Sequence, residues 1–442
     1  MLSISPKPLR KLHGYSKLIS ALSSQIFDIE LKTSRRWARF SLINLAIVAL
    51  LGTVMRYKIG FSLPIFEQKF LQEAHSHFAF TGWITHTLFF LLVDVFRSGL
   101  GSINESRYQK LILFNLLMAY GMLFSFMVQG YGPVSITFST LSLLTGYVFS
   151  WYALKDAARL EQGHPGKNWI KGALWLGILS TLGTMVLSWM MATHHYDQTT
   201  YLGSIYFYLH FQYNGWFIFG CFGLFMSAIR HLPLDKKEIS YPLLLITLAA
   251  VPAYFLSTLW AHIPMWLYVF VVVAAIMQAV GWFYFIGMIR RHLNQLKTTF
   301  SKTVRFLFLV VGLALTLKFL LQLGSTIPII SKLAFGFRPI VIAYLHLVLL
   351  VIISIFLLAF MFSKGLIASN RTSKIALLAF TGSTILNEVV LATQGIFSFS
   401  YTIVPFVNEA LFVIACMLLT SALLLVMSQL KASRIDQNHV NM

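Results

Sequence analysis

Charged residues are scarce in this sequence. Lys, Arg, Asp and Glu make up only 11% of the 442 residues, whereas hydrophobic residues make up 57% and aromatic residues 15%. The water-facing surface of a soluble domain requires roughly 25% charged residues. The scarcity therefore excludes an ordinary soluble enzyme, a disordered chain and a coiled coil, and it favours a protein that crosses a membrane many times.

Cysteine is also rare, since the chain has only Cys221 and Cys416, both within apolar runs. Two isolated cysteines exclude a disulfide framework and cysteine-based zinc or iron–sulfur motifs. The first 39 residues are polar and basic, and they lack the apolar segment of a cleavable signal peptide. We therefore expect the first transmembrane helix to direct membrane insertion.

Twelve apolar stretches are long enough to cross the hydrocarbon core as helices, which takes about 20 residues each. They define a basic N-terminal segment (1–39), an all-α integral membrane domain of twelve transmembrane helices (40–428) and a C-terminal tail (429–442). The predicted spans are 40–56, 75–96, 111–129, 133–153, 169–191, 202–229, 241–260, 264–288, 304–323, 339–362, 374–393 and 402–428.

Basic residues outnumber acidic residues by 34 to 14, and their positions predict the topology. With a cytoplasmic N-terminus, 28 of the 34 lie on the inner side and five on the outer side, while Lys318 lies within a span. This asymmetry follows the positive-inside rule and indicates that both termini are cytoplasmic, as expected in a bacterial inner membrane. The net charge of +20 then reflects topology and attraction to the lipid bilayer, and it predicts no nucleic-acid partner.

Histidines recur at one depth of the predicted membrane domain. Helices 2, 6 and 10 run inwards and carry His77, His210 and His346 in their outer thirds, and helix 7 runs outwards and ends at His262. At about 1.5 Å per residue, all four lie in one slab roughly 15 Å thick. An imidazole in hydrocarbon requires a hydrogen bond or a metal, so this slab is the predicted functional region.

A short motif repeats within this slab. Helix 2 reads H-F-A-F-T-G-W from His77, and helix 6 reads H-F-Q-Y-N-G-W from His210, 133 residues later. Helix 10 keeps His346, a further 136 residues on, without the Gly-Trp pair. The pattern predicts three pseudo-repeated four-helix arcs; chance recurrence in an aromatic-rich chain is the alternative.

With these features the sequence resembles subunit I of the haem–copper oxidase superfamily, which includes the nitric oxide reductases. That family has twelve helices in three arcs of four. Histidines of helices 2 and 10 hold its low-spin haem. Its active centre combines a high-spin haem on another helix-10 histidine with copper or iron bound by histidines of helices 6 and 7.

The resemblance implies a ligand set for this chain. His77, or alternatively His75, matches the helix-2 ligand of a low-spin haem b, and His346 matches the second helix-10 histidine. His210 matches the helix-6 ligand of a copper or non-haem iron, and His262 stands where helix 7 carries its histidine pair. A third ligand for that metal is expected from the outer loop, if it folds inwards, at His194 or His195.

The sequence also departs from the family pattern. Tyr344 occupies the position of the high-spin haem ligand, and the helix-7 pair is reduced to His262. Asn214 stands where nitric oxide reductases place a glutamate, and Tyr213 is one residue short of the cross-linked tyrosine of many oxidases. The low-spin haem pair is therefore expected to be intact and the dinuclear centre degraded.

Other polar groups of the predicted spans have open roles. Arg56 and Arg338 are expected either to pair with haem propionates or to anchor the helices at the interface. His86 is expected to support a proton path or a haem edge, or to hydrogen-bond between helices. Ionisable residues within spans are costly and often functional, and the remaining ones here are Asp94, Lys318, Glu388 and Glu409.

Three functions are consistent with these features. The first is a haem protein that carries electrons for oxygen or nitric oxide reduction, with an electron-donor protein or quinol and a membrane subunit as partners. The second is a non-catalytic protein that binds haem, copper or nitric oxide for sensing, assembly or stress resistance. The third is a secondary transporter that uses Glu388, Glu409 and Lys318 for coupling. Whether the chain is an oxidoreductase stays open.

Overall fold

The computed structural model describes residues 9–261 and 263–440, with side chains for residues 33–261, 263–332 and 336–430. Over these residues the chain is almost entirely helical and contains no strand. The prediction of an all-α protein is confirmed. His262, one of the predicted metal ligands, lies outside the described residues.

Twelve long helices follow one another along the described part of the chain. Short helices, Leu293–Thr299 and Pro328–Gly336, precede the ninth and the tenth of them. The long helices are α1 (Leu9–Gly60), α2 (Gln68–Leu100), α3 (Glu105–Gln129), α4 (Pro133–Arg159), α5 (Lys167–Thr193), α6 (198–228), α7 (Lys236–Ala250), α8 (Met265–Arg291), α9 (Lys302–Gly324), α10 (Arg338–Ser363), α11 (Arg371–Ser398) and α12 (Val407–Val440).

Ten helices of the described chain are long and apolar enough to cross a membrane. An eleventh span results if α7 and the 3₁₀ turn Pro252–Thr258, which are bent by 49° relative to each other, are counted together. Helix α6 falls outside this group because polar residues such as Gln212 and Asn214 interrupt its apolar sequence. These helices indicate an integral membrane protein.

Helices α2, α6 and α10 occupy the interior of the helix bundle. Helix α2 packs against α1, α3, α4 and α6, while α6 also packs against α5, the 3₁₀ turn Pro252–Thr258 and α10. Helix α10 contacts α9 and α11, and α12 lies between α11 and α1. Of the candidate spans, α2 is the most deeply buried. The three helices that carry the repeated histidines are therefore the three central ones.

Glycine permits the closest approach between α5 and α6. A Cβ atom on Gly183 of α5 would lie 2.5 Å from the carbonyl oxygen of Ser204, and one on Gly215 of α6 would lie 2.7 Å from Cβ of Leu176. Small residues of this kind let the backbones of membrane helices pack directly. The glycine of the repeated motif in α6 is thus required by packing.

Candidate functional site

A π-helical segment follows the repeated histidine in each of the three central helices. Ala79–Thr85 begins two residues after His77, Phe211–Phe217 directly follows His210, and Leu347–Ser354 directly follows His346. In a π-helix one residue is inserted relative to the α-helical ladder, and such insertions are frequent at functional sites. The repeat of the histidine is therefore accompanied by a repeat of local backbone geometry.

The tryptophans of the repeated motif connect these segments. Trp83 of α2 donates a hydrogen bond from Nε1 to the hydroxyl of Ser354 in α10, at 2.9 Å. Trp216 of α6 donates from Nε1 to the hydroxyl of Thr85 in α2, at 3.3 Å. Each tryptophan lies six residues after the repeated histidine of its helix. Each acceptor hydroxyl lies eight residues after the repeated histidine of the helix that carries it. The same contact therefore joins α6 to α2 and α2 to α10.

The corresponding donor and acceptor positions in α10 and α6 are both apolar. Ile352 lies six residues after His346, and Ile218 lies eight residues after His210, and both are buried. A donor without an acceptor would be costly at such a position, and so would an acceptor without a donor. Donor and acceptor are both replaced by isoleucine here, so this part of the core contains no unpaired polar group.

His75 and His346 make the same kind of contact through Nδ1. Nδ1 of His75 is 3.1 Å from the carbonyl oxygen of Val48 in α1, and Nδ1 of His346 is 2.8 Å from that of Ile342. Because a carbonyl only accepts, each Nδ1 carries the proton and each Nε2 keeps its lone pair. The two rings are close enough to interact electrostatically. Among the described side chains, neither Nε2 has a hydrogen-bond partner.

His77 points elsewhere. Its Nε2 is 2.9 Å from the hydroxyl of Tyr131, and its ring stacks on Phe126 with centroids 4.2 Å apart. Two residues along a helix correspond to a rotation of about 200°, so His75 and His77 face opposite sides of α2. Of the two alternatives for the helix-2 ligand, His75 is the one that interacts electrostatically with His346.

Two guanidinium groups lie around the histidine pair. Arg56 of α1 is close enough to His346 to interact with it electrostatically, and it is half-buried. Arg338 donates from Nη2 to Oε1 of Gln72, one turn before His75, at 3.1 Å. Within the described side chains neither guanidinium forms a salt bridge. The surroundings of the pair therefore favour an anionic group.

His210 already uses both ring nitrogens. Its Nε2 is 2.9 Å from the carbonyl oxygen of Ala250, and its Nδ1 is 3.1 Å from Nδ2 of Asn214. Lys318 of α9 is fully buried, donates to Oε1 of Gln322 at 2.7 Å, and interacts electrostatically with His210. A metal on His210 would have to displace one of these hydrogen bonds.

The remaining predicted metal ligands do not assemble around His210 in the described part of the chain. No group of three or more His, Cys, Asp or Glu side chains there could hold a metal ion. His194 ends α5 with a positive φ of 53°, and His194 and His195 are both exposed. In the same loop Asp197 caps α6, and hydrogen bonds from Thr200 lower the pKa of its carboxyl group. The second metal centre stays a prediction.

Tyr344 lies two residues before His346 in α10, and His86 lies eleven residues after His75 in α2. The ring of Tyr344 meets the ring of Tyr213 edge-on, with centroids 6.3 Å apart, so it faces α6. His86 is fully buried beside Trp37, with ring centroids 5.6 Å apart. Neither ring nitrogen of His86 has a hydrogen-bond partner in the described part of the structure. The role of His86 stays a prediction.

The predicted acidic residues fall into separate environments. Asp94 accepts hydrogen bonds from Ser34 and Arg97, each at 2.6 Å, and so takes part in a structural ion-pair cluster. Glu388 is half-buried and accepts a hydrogen bond from Asn387 at 3.2 Å. Glu409 is exposed in the first turn of α12, whereas Glu388 lies about 15 Å from the end of α11. The roles of Glu388 and Glu409 stay predictions.

No protein-family model matches this chain, and no curated protein matches it. The case for a function therefore depends on the geometry of the central helices. The best-defined feature there is the pair formed by His75 and His346. The sequence pattern does not predict the contacts of that pair, such as the one between His75 and the carbonyl of Val48.

Proposed function

We propose that the chain is a membrane haem protein that holds one low-spin haem b between His75 of α2 and His346 of α10. The supporting observation is the tethering of both imidazoles. Metal-bound histidines almost always donate their other ring N–H to a carbonyl or carboxylate. Both Nδ1 atoms do so here, at 3.1 and 2.8 Å, and both Nε2 atoms stay available for an iron.

The residues around the pair have distinct roles in this proposal. The carbonyls of Val48 and Ile342 fix the tautomer and the ring orientation of the two ligands, and they raise the basicity of Nε2. Arg56 and Arg338 pair with the carboxylates of the propionates at the outer end of the bundle. A bound haem b supplies a one-electron couple. The surrounding apolar helices exclude water from it.

We further propose that the membrane domain, residues 40–428, has twelve spans in three four-helix arcs, with both termini cytoplasmic. The arcs are α1–α4, α5–α8 and α9–α12, and each contributes its second helix to the centre. The repeated π segments and the two tryptophan hydrogen bonds support this arrangement. It is the architecture that the resemblance to haem–copper oxidase subunit I implies, in a divergent relative.

The surroundings of His210 favour electron transfer or sensing over gas reduction at this chain. Both ring nitrogens of His210 are hydrogen-bonded, Nε2 with the carbonyl of Ala250 and Nδ1 with the amide of Asn214. We therefore propose a carrier or sensor that is linked to oxygen or nitric oxide reduction in a bacterial inner membrane. The proposed partners of this chain are an electron-donor protein or quinol and a further membrane subunit.

A reduced-minus-oxidised optical spectrum of the purified protein tests this function, with a pyridine haemochrome and a metal assay on the same sample. We expect one haem b per chain and no stoichiometric copper or non-haem iron. Two haems, or a haem with a second metal, would contradict the single-haem proposal and make Tyr344 a ligand candidate. A haem-free protein from haem-replete cells would refute haem binding and leave secondary transport as the better hypothesis.

Replacement of Arg56 by glutamine should lower the midpoint potential of the haem. A cation close to the iron disfavours the more positive ferric state, so its removal stabilises that state. A shift of the order of 50 mV is expected for a partly buried charge at this range. A redox titration measures it, with Lys332→Gln, an exposed change outside the site, as the control. Equal potentials in both variants would argue against a role for Arg56.

A further inference from the structure

A cavity of about 410 Å³ lies between the beginning of α3 and the end of α4. The cations that line it are Arg107, Lys155 and Arg159, and its single carboxylate is Asp156. This end of the bundle carries most of the basic residues of the chain and is distant from the histidine pair. The cavity therefore has no part in the proposed haem site.

The carboxylate of this cavity is already neutralised. Asp156 accepts a hydrogen bond from the hydroxyl of Tyr108 at 2.7 Å and forms an ion pair with Arg159 at 2.8 Å. Arg107 and Lys155 form no salt bridge among the described residues. The cavity thus presents two cations that lack an anionic partner.

Aromatic rings hold both of these cations in place. The guanidinium of Arg107 lies 3.9 Å from the centre of the Tyr152 ring, and the ammonium of Lys155 lies 4.4 Å from that of Trp151. Cation–π contacts of this kind position a charge and leave its N–H donors free for an anion. Two ordered cations with free donors suit a phosphate group.

An apolar stripe on α4 continues from the cavity towards the middle of the membrane. Trp151, Val148 and Leu144 precede Lys155 at intervals of four, three and four residues, so all four share one helix face. The three apolar side chains are 57%, 45% and 50% exposed. A ligand that fits both features has an anionic head and an apolar chain.

We propose that this cavity binds the phosphate of an anionic phospholipid, with one acyl chain along the stripe of Trp151, Val148 and Leu144. Basic pockets between transmembrane helices on the cytoplasmic side bind such headgroups. The stripe favours a lipid over a soluble phosphate compound, because a soluble compound has no acyl chain that would cover the stripe. The proposal is independent of the haem, because no residue of the cavity contacts the histidine pair.

Native mass spectrometry of delipidated protein titrated with phosphatidylglycerol tests the proposal. The double variant Arg107→Gln, Lys155→Gln removes the two unpaired cations and keeps the contacts of Asp156. Each basic residue near an anionic headgroup contributes roughly fivefold in affinity, so we expect about 30-fold weaker binding. The matched control is Lys297→Gln, Lys302→Gln, which removes two exposed cations outside the cavity. This control variant should bind phosphatidylglycerol with the same affinity as the unaltered chain.

Equal lipid affinity in both double variants would overturn the proposal. Monodisperse elution of each variant in detergent verifies that the fold is retained.

Competition with inorganic phosphate distinguishes a lipid headgroup from a soluble phosphate compound as the bound anion. We expect millimolar phosphate to leave the bound lipid in place. Displacement of the lipid by phosphate would overturn the assignment to a lipid headgroup and make the cavity a site for soluble phosphate. Leu144→Ser should weaken lipid binding because it makes the stripe polar.

Discussion

The His75→Ala and His346→Ala proteins are each expected to purify with at least about tenfold less haem than the unaltered chain. Each substitution removes one of the two proposed axial ligands, and the loss of even an outer hydrogen bond to a ligand costs 10- to 100-fold in metal affinity. The measurement is the pyridine haemochrome per chain, with the reduced-minus-oxidised spectrum of the same sample. Any residual haem should lose its six-coordinate low-spin spectrum.

His77→Ala is the matched control for this experiment. His77 lies on the same helix, two residues after His75, but its Nε2 contacts Tyr131 and its ring stacks on Phe126. We expect this variant to retain its haem within about a factor of two, since no ligand is removed. Loss of haem in His77→Ala with retention in His75→Ala would reverse the assignment of the helix-2 ligand.

Trp83→Ala is expected to cost about 3–5 kcal/mol in the free energy of unfolding, because it opens a large cavity in the centre of the bundle. Trp83 is 1% exposed, and its Nε1 donates to Ser354. Trp83→Phe fills most of that volume and removes only the hydrogen bond, so it should cost about 1 kcal/mol. Denaturant unfolding in detergent measures both values.

Two further variants make this prediction specific. Trp175→Ala removes a tryptophan that is 60% exposed, and it should change stability by less than about 0.5 kcal/mol. Ser354→Ala combined with Trp83→Phe should cost less than the sum of the two single changes, because both remove the same bond. If Trp83→Ala unfolded no more readily than Trp175→Ala, the link between α2 and α10 would not be a stabilising part of the core.

Composition and helix length accounted for much of the fold. The hydrophobic runs predicted the long helices, because a helix in hydrocarbon satisfies its own backbone hydrogen bonds wherever its neighbours lie. The sequence was less informative for α6 and α7. Polar residues lower the apolarity of α6, and the bend of 49° before the 3₁₀ turn at Pro252 interrupts α7. The π segments also had no signal in the hydrophobic pattern.

The sequence by itself indicated an all-helical integral membrane protein, because long apolar helices satisfy their own backbone hydrogen bonds in hydrocarbon. The tertiary structure decided what each histidine contacts. His75 and His77 are two residues apart, and the packing of α2 against α1 and α3 sets the rotation that brings Nδ1 of His75 to the carbonyl of Val48 and the ring of His77 to Phe126. In the same way, the carbonyl of Ala250 engages His210 only because α7 lies beside α6. Such partners come from other helices, so their contacts depend on helix packing, which local sequence does not specify.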